Sequence, residues 1–300
     1  MRRILRRLAL AAVLPALLGS GAASTLDAQQ RIERRWPLAA DGAVKIFNFV
    51  GSVRVIGWDH DSVVVTGTVA EGMQFFGGGG RSGVKLGVEG SASRPDGAAV
   101  LVVRVPATAD VWVRGAATDV ETEGLIGTVD LGTVSGRLVA VGSPRALSVE
   151  TMDGTLDVRG SPETLRAKTA SGALRWEGAA SDALLVSVSG SLRVNAGPLG
   201  RARLETISGS VLVDAALRPD ADLTIETHSG NVEVVLPKGT PARVTTDAPT
   251  TVNGSPLAAP ADAGKRAAPR QFDLNLKSSK ASAATIVVRS FKGAAFFRDR

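Results

Sequence analysis

The sequence has 300 residues, with 35 lysines and arginines against 29 aspartates and glutamates, and it contains no cysteine. The lack of cysteine excludes a lipoprotein anchor, disulfide bonds, thiolate metal sites and cysteine nucleophiles. No basic tract with interleaved aromatic residues accompanies the formal charge of +6, so we expect no nucleic acid partner.

Residues 1–28 are predicted to form a secretory signal peptide. Four arginines precede an apolar stretch from Leu8 to Leu18, and small residues follow it. The stretch is shorter than the roughly 20 residues of a spanning helix, and no later segment is apolar enough, so we expect no retained transmembrane span. Cleavage is expected near Ala28, with Ala23 as the alternative, which places the protein in the periplasm, on the cell surface or outside the cell.

Residues 40–110 are predicted to form an N-terminal cap and an irregular β region. Strand-like runs surround the insertion MQFFGGGGRSG, whose glycine-rich part, residues 77–83, is predicted to be a mobile loop. No Lys-Ser/Thr pair or helix start follows the glycines, so the loop does not read as a phosphate-binding motif.

The cluster Trp58-Asp59-His60-Asp61 has two interpretations. Histidine beside two carboxylates could hold a metal or perform acid-base chemistry, but the cluster lies between two strand patterns, where turns rich in aspartate are common. We favour the turn. The chain has only one other histidine, His228, which we expect to be solvated, so we predict no metal and no cofactor.

Residues 111–236 are organised by a repeat. Ser-Gly or Asp-Gly pairs recur, with glycines 18, 18, 18, 19 and 21 residues apart, at Gly136, Gly154, Gly172, Gly190, Gly209 and Gly230. A hydroxyl residue always stands three positions before the glycine, and apolar or small residues alternate with polar ones on both sides. Each repeat therefore predicts a strand, a Ser-Gly corner, a second strand and a second corner, with glycines supplying positive φ at the corners.

Stacked copies of such a unit bury their apolar stripes together, whereas one copy cannot. We therefore predict an all-β, single-domain parallel β-solenoid with rungs of about 18 residues. The frame extends upstream, where Thr118 stands at a glycine position and Val44 to Val55 fit the template. Residues 237–283, rich in proline and alanine, are predicted to be an excursion, and residues 284–300 a C-terminal closing rung.

Acidic side chains on the outward positions could form a catalytic pair, as in β-helix enzymes that cleave polysaccharides. They are Glu150, Asp157, Glu205, Glu226 and Glu233. Basic residues alternate with them from rung to rung, which favours a solvated ladder of charges. We assign no catalytic residue and expect no enzymatic activity. The inward hydroxyl column is expected to bond to backbone at the corner.

Units such as TVSGRL, TASGAL, TISGSV and THSGNV, with TMDGTL departing at the serine, resemble the adhesin-like β-strand-repeat family of bacterial envelope proteins. The resemblance spans roughly residues 40–297. It implies a structural or adhesive module that presents an extended face to an envelope polymer or protein. Two alternatives stay open: a carbohydrate-active β-helix enzyme, and a scaffold that self-associates end to end.

Overall fold

The computed structural model describes residues 30–90, 98–257, 269–275 and 282–300. The predicted signal peptide, residues 1–28, lies outside the described residues. All regular structure in the described ranges is β-strand, and the strands form one large, mostly parallel sheet.

In chain order, the strands have the following bounds: β1 (Gln30–Pro37), β2 (Ala43–Trp58), β3 (Ser62–Val69), β4 (Met73–Gly80), β5 (Gly83–Gly90), β6 (Ala99–Pro106), β7 (Asp110–Glu123), β8 (Thr128–Thr133), β9 (Leu138–Val141), β10 (Ala146–Thr151), β11 (Leu156–Gly160), β12 (Thr164–Thr169), β13 (Leu174–Gly178), β14 (Asp182–Ser187), β15 (Leu192–Thr206), β16 (Val211–Thr227), β17 (Val232–Leu236), β18 (Ala242–Thr246), β19 (Thr250–Val252), β20 (Ser255–Pro256), β21 (Arg270–Leu274), β22 (Ala284–Ser290) and β23 (Ala295–Asp299).

Strands pair with their equivalents in the neighbouring repeats, which produces two parallel stacks. In the first stack, formed by strands before the Ser-Gly corner, β10 pairs with β8 and β12, so that Val149 faces Leu131 and Ala167. In the second stack, formed by strands after the corner, β11 pairs with β9 and β13. The pairing offset equals the sequence interval of the repeat, so the predicted register is confirmed.

The core lies where the inward side chains of both stacks meet. The predicted alternation is observed: in β12, for example, Leu165 and Ala167 are buried, whereas Arg166 and Lys168 are exposed. Trp176 is completely buried at a position occupied by Val158 in the preceding repeat, and its Nε1 donates to the carbonyl of Gly160 at 3.4 Å.

Hydroxyl groups close the Ser-Gly corner from inside. Thr169 is buried and its Oγ1 accepts a hydrogen bond from the amide of Gly172 at 3.1 Å. The equivalent bond recurs in other repeats, where the acceptors are Thr151, Thr206, Thr227 and Ser290. The expectation that the hydroxyl column bonds to backbone is confirmed at these positions but not at Ser187, whose buried Oγ has no hydrogen-bond partner among the described residues.

Positive φ is confirmed at the second corner, whereas at the Ser-Gly corner Gly136 has it, with φ 117°, and Gly172 does not. At the second corner Gly160 has φ 146°, a conformation that side-chain-bearing residues rarely adopt. At the Ser-Gly corner of Gly172 the reason for glycine is space, because a Cβ there would lie 1.7 Å from the carbonyl oxygen of Gly154 in the rung before.

The upstream extension of the repeat is confirmed. Strand β2 pairs in parallel with β7, so that Val44 faces Val111 and Gly51 faces Thr118. Strand β2 also pairs with β5 in the first stack and with β6 in the second.

The prediction of a mobile loop at residues 77–83 is wrong for Gly77 to Gly80, which form part of a strand. Gly77 to Gly80 belong to β4, which pairs antiparallel with β5 along its whole length. A Cβ at Gly77 would lie 2.8 Å from the ring of Trp36, so this glycine leaves room for the indole.

The far end also differs from expectation. Strand β22 pairs with both β16 and β18, and β23 pairs with both β17 and β19. Residues 284–299 therefore form an inserted rung, between the repeat of Gly230 and residues 242–252, instead of a closing rung. Residues 242–252, which lie in the predicted excursion, are part of the stacks instead: Ala242, Val244 and Thr246 have the buried alternation of a first-stack strand. Residues 258–268 and 276–281 of that excursion lie outside the described residues.

Antiparallel strands lie at both ends of the stacks. At one end β4 pairs with β5 and β1 pairs with β3, which itself pairs antiparallel with β6. At the other end β21 pairs with β18 and β20 pairs with β19.

Candidate functional site

The His60 cluster forms a tight turn between β2 and β3. The carbonyl of His60 accepts from the amide of Ser62 at 2.8 Å, and Trp58 Nε1 donates to the carbonyl of Ser62 at 2.9 Å. His60 Nδ1 lies 2.7 Å from Asp59 Oδ1, and both side chains are exposed, at 59% and 94%. An open pair of this kind offers neither burial nor a third ligand, which supports the turn interpretation.

The acidic side chains of the outward positions are mostly held by arginines. Glu226 lies 3.1 Å from Arg203 and 2.8 Å from Arg289, and Glu233 lies 3.0 Å from Arg298. Glu205 also pairs with Arg203.

Two more of these acids have distinct surroundings. Glu150 is in register with Lys168. Asp157 departs from the expected exposed position, because Arg137 at 3.3 Å and Arg159 at 2.6 Å cover it and leave the residue only 9% exposed. The five acids are divided between the two stacks: Glu150, Glu205 and Glu226 precede the Ser-Gly corner, whereas Asp157 and Glu233 follow it. Glu205 and Glu226 are register partners on β15 and β16, and Arg203 binds both carboxylates.

A groove of about 550 Å³ lies across the outer face of β5, β2, β7 and β8. Its aromatic wall consists of Phe47 and Trp112, whose ring centroids are 5.2 Å apart in an edge-to-face arrangement. Cations lie over both rings: Lys85 Nζ is 5.0 Å from the Phe47 centroid, and the guanidinium carbon of Arg114 is 4.1 Å from the Trp112 centroid.

The acids of the groove have partners. Asp130 is bound by both terminal nitrogens of Arg114, at 2.9 and 3.1 Å. Asp110 Oδ1 accepts from the amide of Thr128 at 2.9 Å and lies 3.9 Å from Arg145.

The two lysines of the groove, unlike its acids, have no partner of opposite charge in the described ranges. Lys45 and Lys85 are exposed and directly opposite each other on β2 and β5, and neither makes an ion pair within the described ranges. Like charges directly opposite on paired strands are destabilising. The groove therefore carries two positive charges that the described fold leaves uncompensated.

A second surface runs along the Ser-Gly corners. The residue two positions before the corner glycine points outward in every repeat, and the column so formed is here named the apolar ridge: Phe49, Ala116, Val134, Met152, Ala170, Val188, Ile207, His228 and Phe291. Its large side chains are about half exposed or more, from 47% at Val188 to 76% at Phe291. The expected solvated position of His228 holds, with the imidazole stacked on Phe291 at 5.1 Å between centroids.

Backbone hydrogen bonds fix the ridge residues on top of one another. The carbonyl of Val134 accepts from the amide of Met152, and that of Val188 accepts from the amide of Ile207. At a strand spacing of about 4.8 Å, the nine positions extend over about 38 Å. The ridge is thus a long, regularly spaced and mostly apolar edge.

Metal ligands and membrane helices are not found in the described ranges. No three histidine, aspartate or glutamate side chains come together there as a metal site. No helix long and apolar enough to cross a membrane is present in that part of the chain.

No family model and no curated protein matches the chain. Two solved structures resemble it at low identity. A "putative cell adhesion protein" from Clostridium sporogenes is 11% identical, covers 90% of this chain and 100% of its own, and has a TM-score of 0.23. A "putative adhesin" from Bacteroides fragilis is 12% identical, covers 91% of this chain and 99% of its own, and has a TM-score of 0.41.

Neither the apolar ridge nor the groove was predicted from the sequence, although the ridge corresponds to a recognisable sequence pattern. The ridge is visible in the second letter of TVSG, TMDG, SVSG and TISG, where an apolar residue recurs two positions before the corner glycine. The groove left a weaker signal, because Lys45 and Lys85 are 40 residues apart and meet only through the pairing of β2 with β5.

Proposed function

We propose that this chain is an exported, non-enzymatic, adhesin-like protein of the bacterial envelope, a β-solenoid that presents a long face to a partner. The proposal includes removal of residues 1–28 and a location in the periplasm, on the cell surface or outside the cell. The observation that carries it is the apolar ridge, a column of nine stacked positions that is exposed at every large side chain and partly exposed at Ala116 and Ala170. Solenoids use such extended surfaces for binding.

The chemistry of the ridge favours a protein partner. Its exposed side chains are valine, methionine, isoleucine and phenylalanine with one histidine, and largely apolar surface of this kind typically marks a protein contact. A neighbouring column of small polar residues, including Ser171, Ser189 and Ser208, borders the ridge with hydroxyl groups. An apolar centre with a polar rim is the usual anatomy of a protein interface.

Binding of the labelled protein to isolated envelopes of the producing bacterium tests this proposal. We expect saturable binding that protease treatment of the envelopes removes. The double substitution Val188→Ser with Ile207→Ser should weaken it about tenfold, because two apolar contacts are lost.

A matched control is available elsewhere on the surface. Val100→Ser with Ile126→Ser changes the same residue types at 47% and 53% exposure, against 47% and 54% for the ridge pair. This control should bind like the unchanged protein. Equal weakening by both pairs, or binding that survives protease treatment, would contradict a protein partner at the ridge.

The carbohydrate-active enzyme stays as a second candidate because Asp110 and Asp130 lie in one groove with Trp112. Both acids are already engaged, Asp130 by Arg114 and Asp110 by the Thr128 amide, which disfavours a free general acid or base. Turnover of a polysaccharide that Asp110→Asn or Asp130→Asn abolishes would replace the non-enzymatic proposal.

A further inference from the structure

The groove on β5, β2, β7 and β8 shares no lining residue with the apolar ridge, and we propose that it binds a carboxylated polysaccharide. The inference goes beyond the proposed function and does not depend on the ridge. It rests on two uncompensated lysines beside two half-buried aromatic rings in a concave site.

The charge of the groove selects an anion. Lys45 and Lys85 oppose each other across paired strands, an arrangement that costs stability unless a negative group lies between or above them. The Phe47 ring lies 5.0 Å from Lys85 Nζ and helps to place this ammonium group. The acids nearby do not neutralise the lysines, because Asp130 is held by Arg114 and Asp110 by Thr128 and Arg145.

The shape and the rings select a sugar chain over an acidic peptide. Extended peptides bind best by adding to a free sheet edge, but the groove lies on the face of strands that are already paired on both sides, as β2 is by β5 and β7. Recognition there must use side chains. A sugar ring offers apolar C–H faces for Phe47 and Trp112, and its carboxylate offers an acceptor for the lysines.

Titration of the full-length protein with alginate, a polymer of uronic acids, tests the inference by calorimetry. We expect binding that weakens about tenfold when salt rises from about 20 mM to about 200 mM, because the ion pairs are exposed. Carboxyl-reduced alginate, which keeps the sugar backbone but loses the charge, should bind at least about tenfold more weakly.

Paired lysine variants locate the site. Lys45→Ala with Lys85→Ala should weaken alginate binding about fivefold or more, whereas Lys168→Ala with Lys238→Ala removes the same charge from exposed positions elsewhere and should leave it unchanged. Lys45→Glu provides a single charge reversal at an exposed residue, should the first pair disturb folding. The ridge variant Val188→Ser with Ile207→Ser should bind alginate normally, so failure here and failure of the proposed function are distinguishable.

Three results would overturn the inference. They are no alginate binding at roughly 1 mM uronate, equal binding of the carboxyl-reduced polymer, and equal loss in both lysine pairs. Tighter binding of polyglutamate than of alginate would likewise replace the sugar ligand by an acidic peptide.

Discussion

Gly172 illustrates how tightly single residues are constrained at the Ser-Gly corner. Its backbone lies against the carbonyl of Gly154, and the same contact recurs between Gly190 and Gly172 in the next rung. The column of glycines therefore lets adjacent rungs approach at the corner, and any side chain in it pushes two rungs apart.

The substitution Gly172→Ala should lower the free energy of unfolding by about 1–3 kcal/mol, because the new Cβ would start 1.7 Å from a backbone oxygen. Urea denaturation measures this loss. Gly78→Ala is the control: a Cβ at Gly78 meets nothing within 4 Å, so its midpoint should hardly change. Equal stability of the two variants would show that the corner can relax.

The stability of whole strands depends on the buried hydroxyl column as well as on the stacked inward apolar side chains. Thr169 ends β12, and its Oγ1 satisfies the buried amide of Gly172 in the corner that leads to β13. The hydroxyl thus links the end of one strand to the corner that starts the next.

Thr169→Val should destabilise the protein by about 1–3 kcal/mol, because it keeps the shape and leaves a buried amide without an acceptor. Thr169→Ser should restore most of the loss, since Ser290 makes the same bond to Gly293 at 2.9 Å. Thermal and urea unfolding of both variants check the pair. A valine variant as stable as the serine variant would mean that the hydrogen bond contributes little.

The strands that could be predicted from the sequence are those that recur at a regular interval. Val149 faces Leu131 and Ala167 because each lies 18 residues from the next, and stacking needs no more information than that. The hairpin of β4 with β5 escaped prediction because consecutive glycines usually indicate loops, whereas here they pair with β5 and Gly77 leaves room for the Trp36 ring.

The order of the last rungs escaped prediction for a different reason. Ala242 and Val244 show the right alternation, but β18 has only five residues in a stretch rich in proline and alanine. Nothing in a periodic pattern says that a later segment, starting at Ala284, pairs between β16 and β18. The groove was missed likewise, because its lysines come together through tertiary pairing.

At the scale of the whole molecule, the terminal strands bear on the alternative of end-to-end self-association. Antiparallel partners lie on both ends of the first stack, β4 on β5 and β21 on β18, so a second copy does not meet a parallel rung that it could extend. We expect the purified protein to show a constant monomer mass by light scattering from about 1 µM to about 100 µM. A mass that grows with concentration would favour the self-assembling scaffold.

The inserted rung makes the order in which the last rungs assemble differ from the order in which they are synthesised. Residues 242–252 leave the ribosome and the export machinery before residues 284–299, yet they lie farther along the stack. The earlier rungs can add one after another as the chain emerges, but this last place must be kept open or reopened for a segment that arrives later. Translation and assembly therefore run in the same direction for most of the chain and in opposite directions at its end.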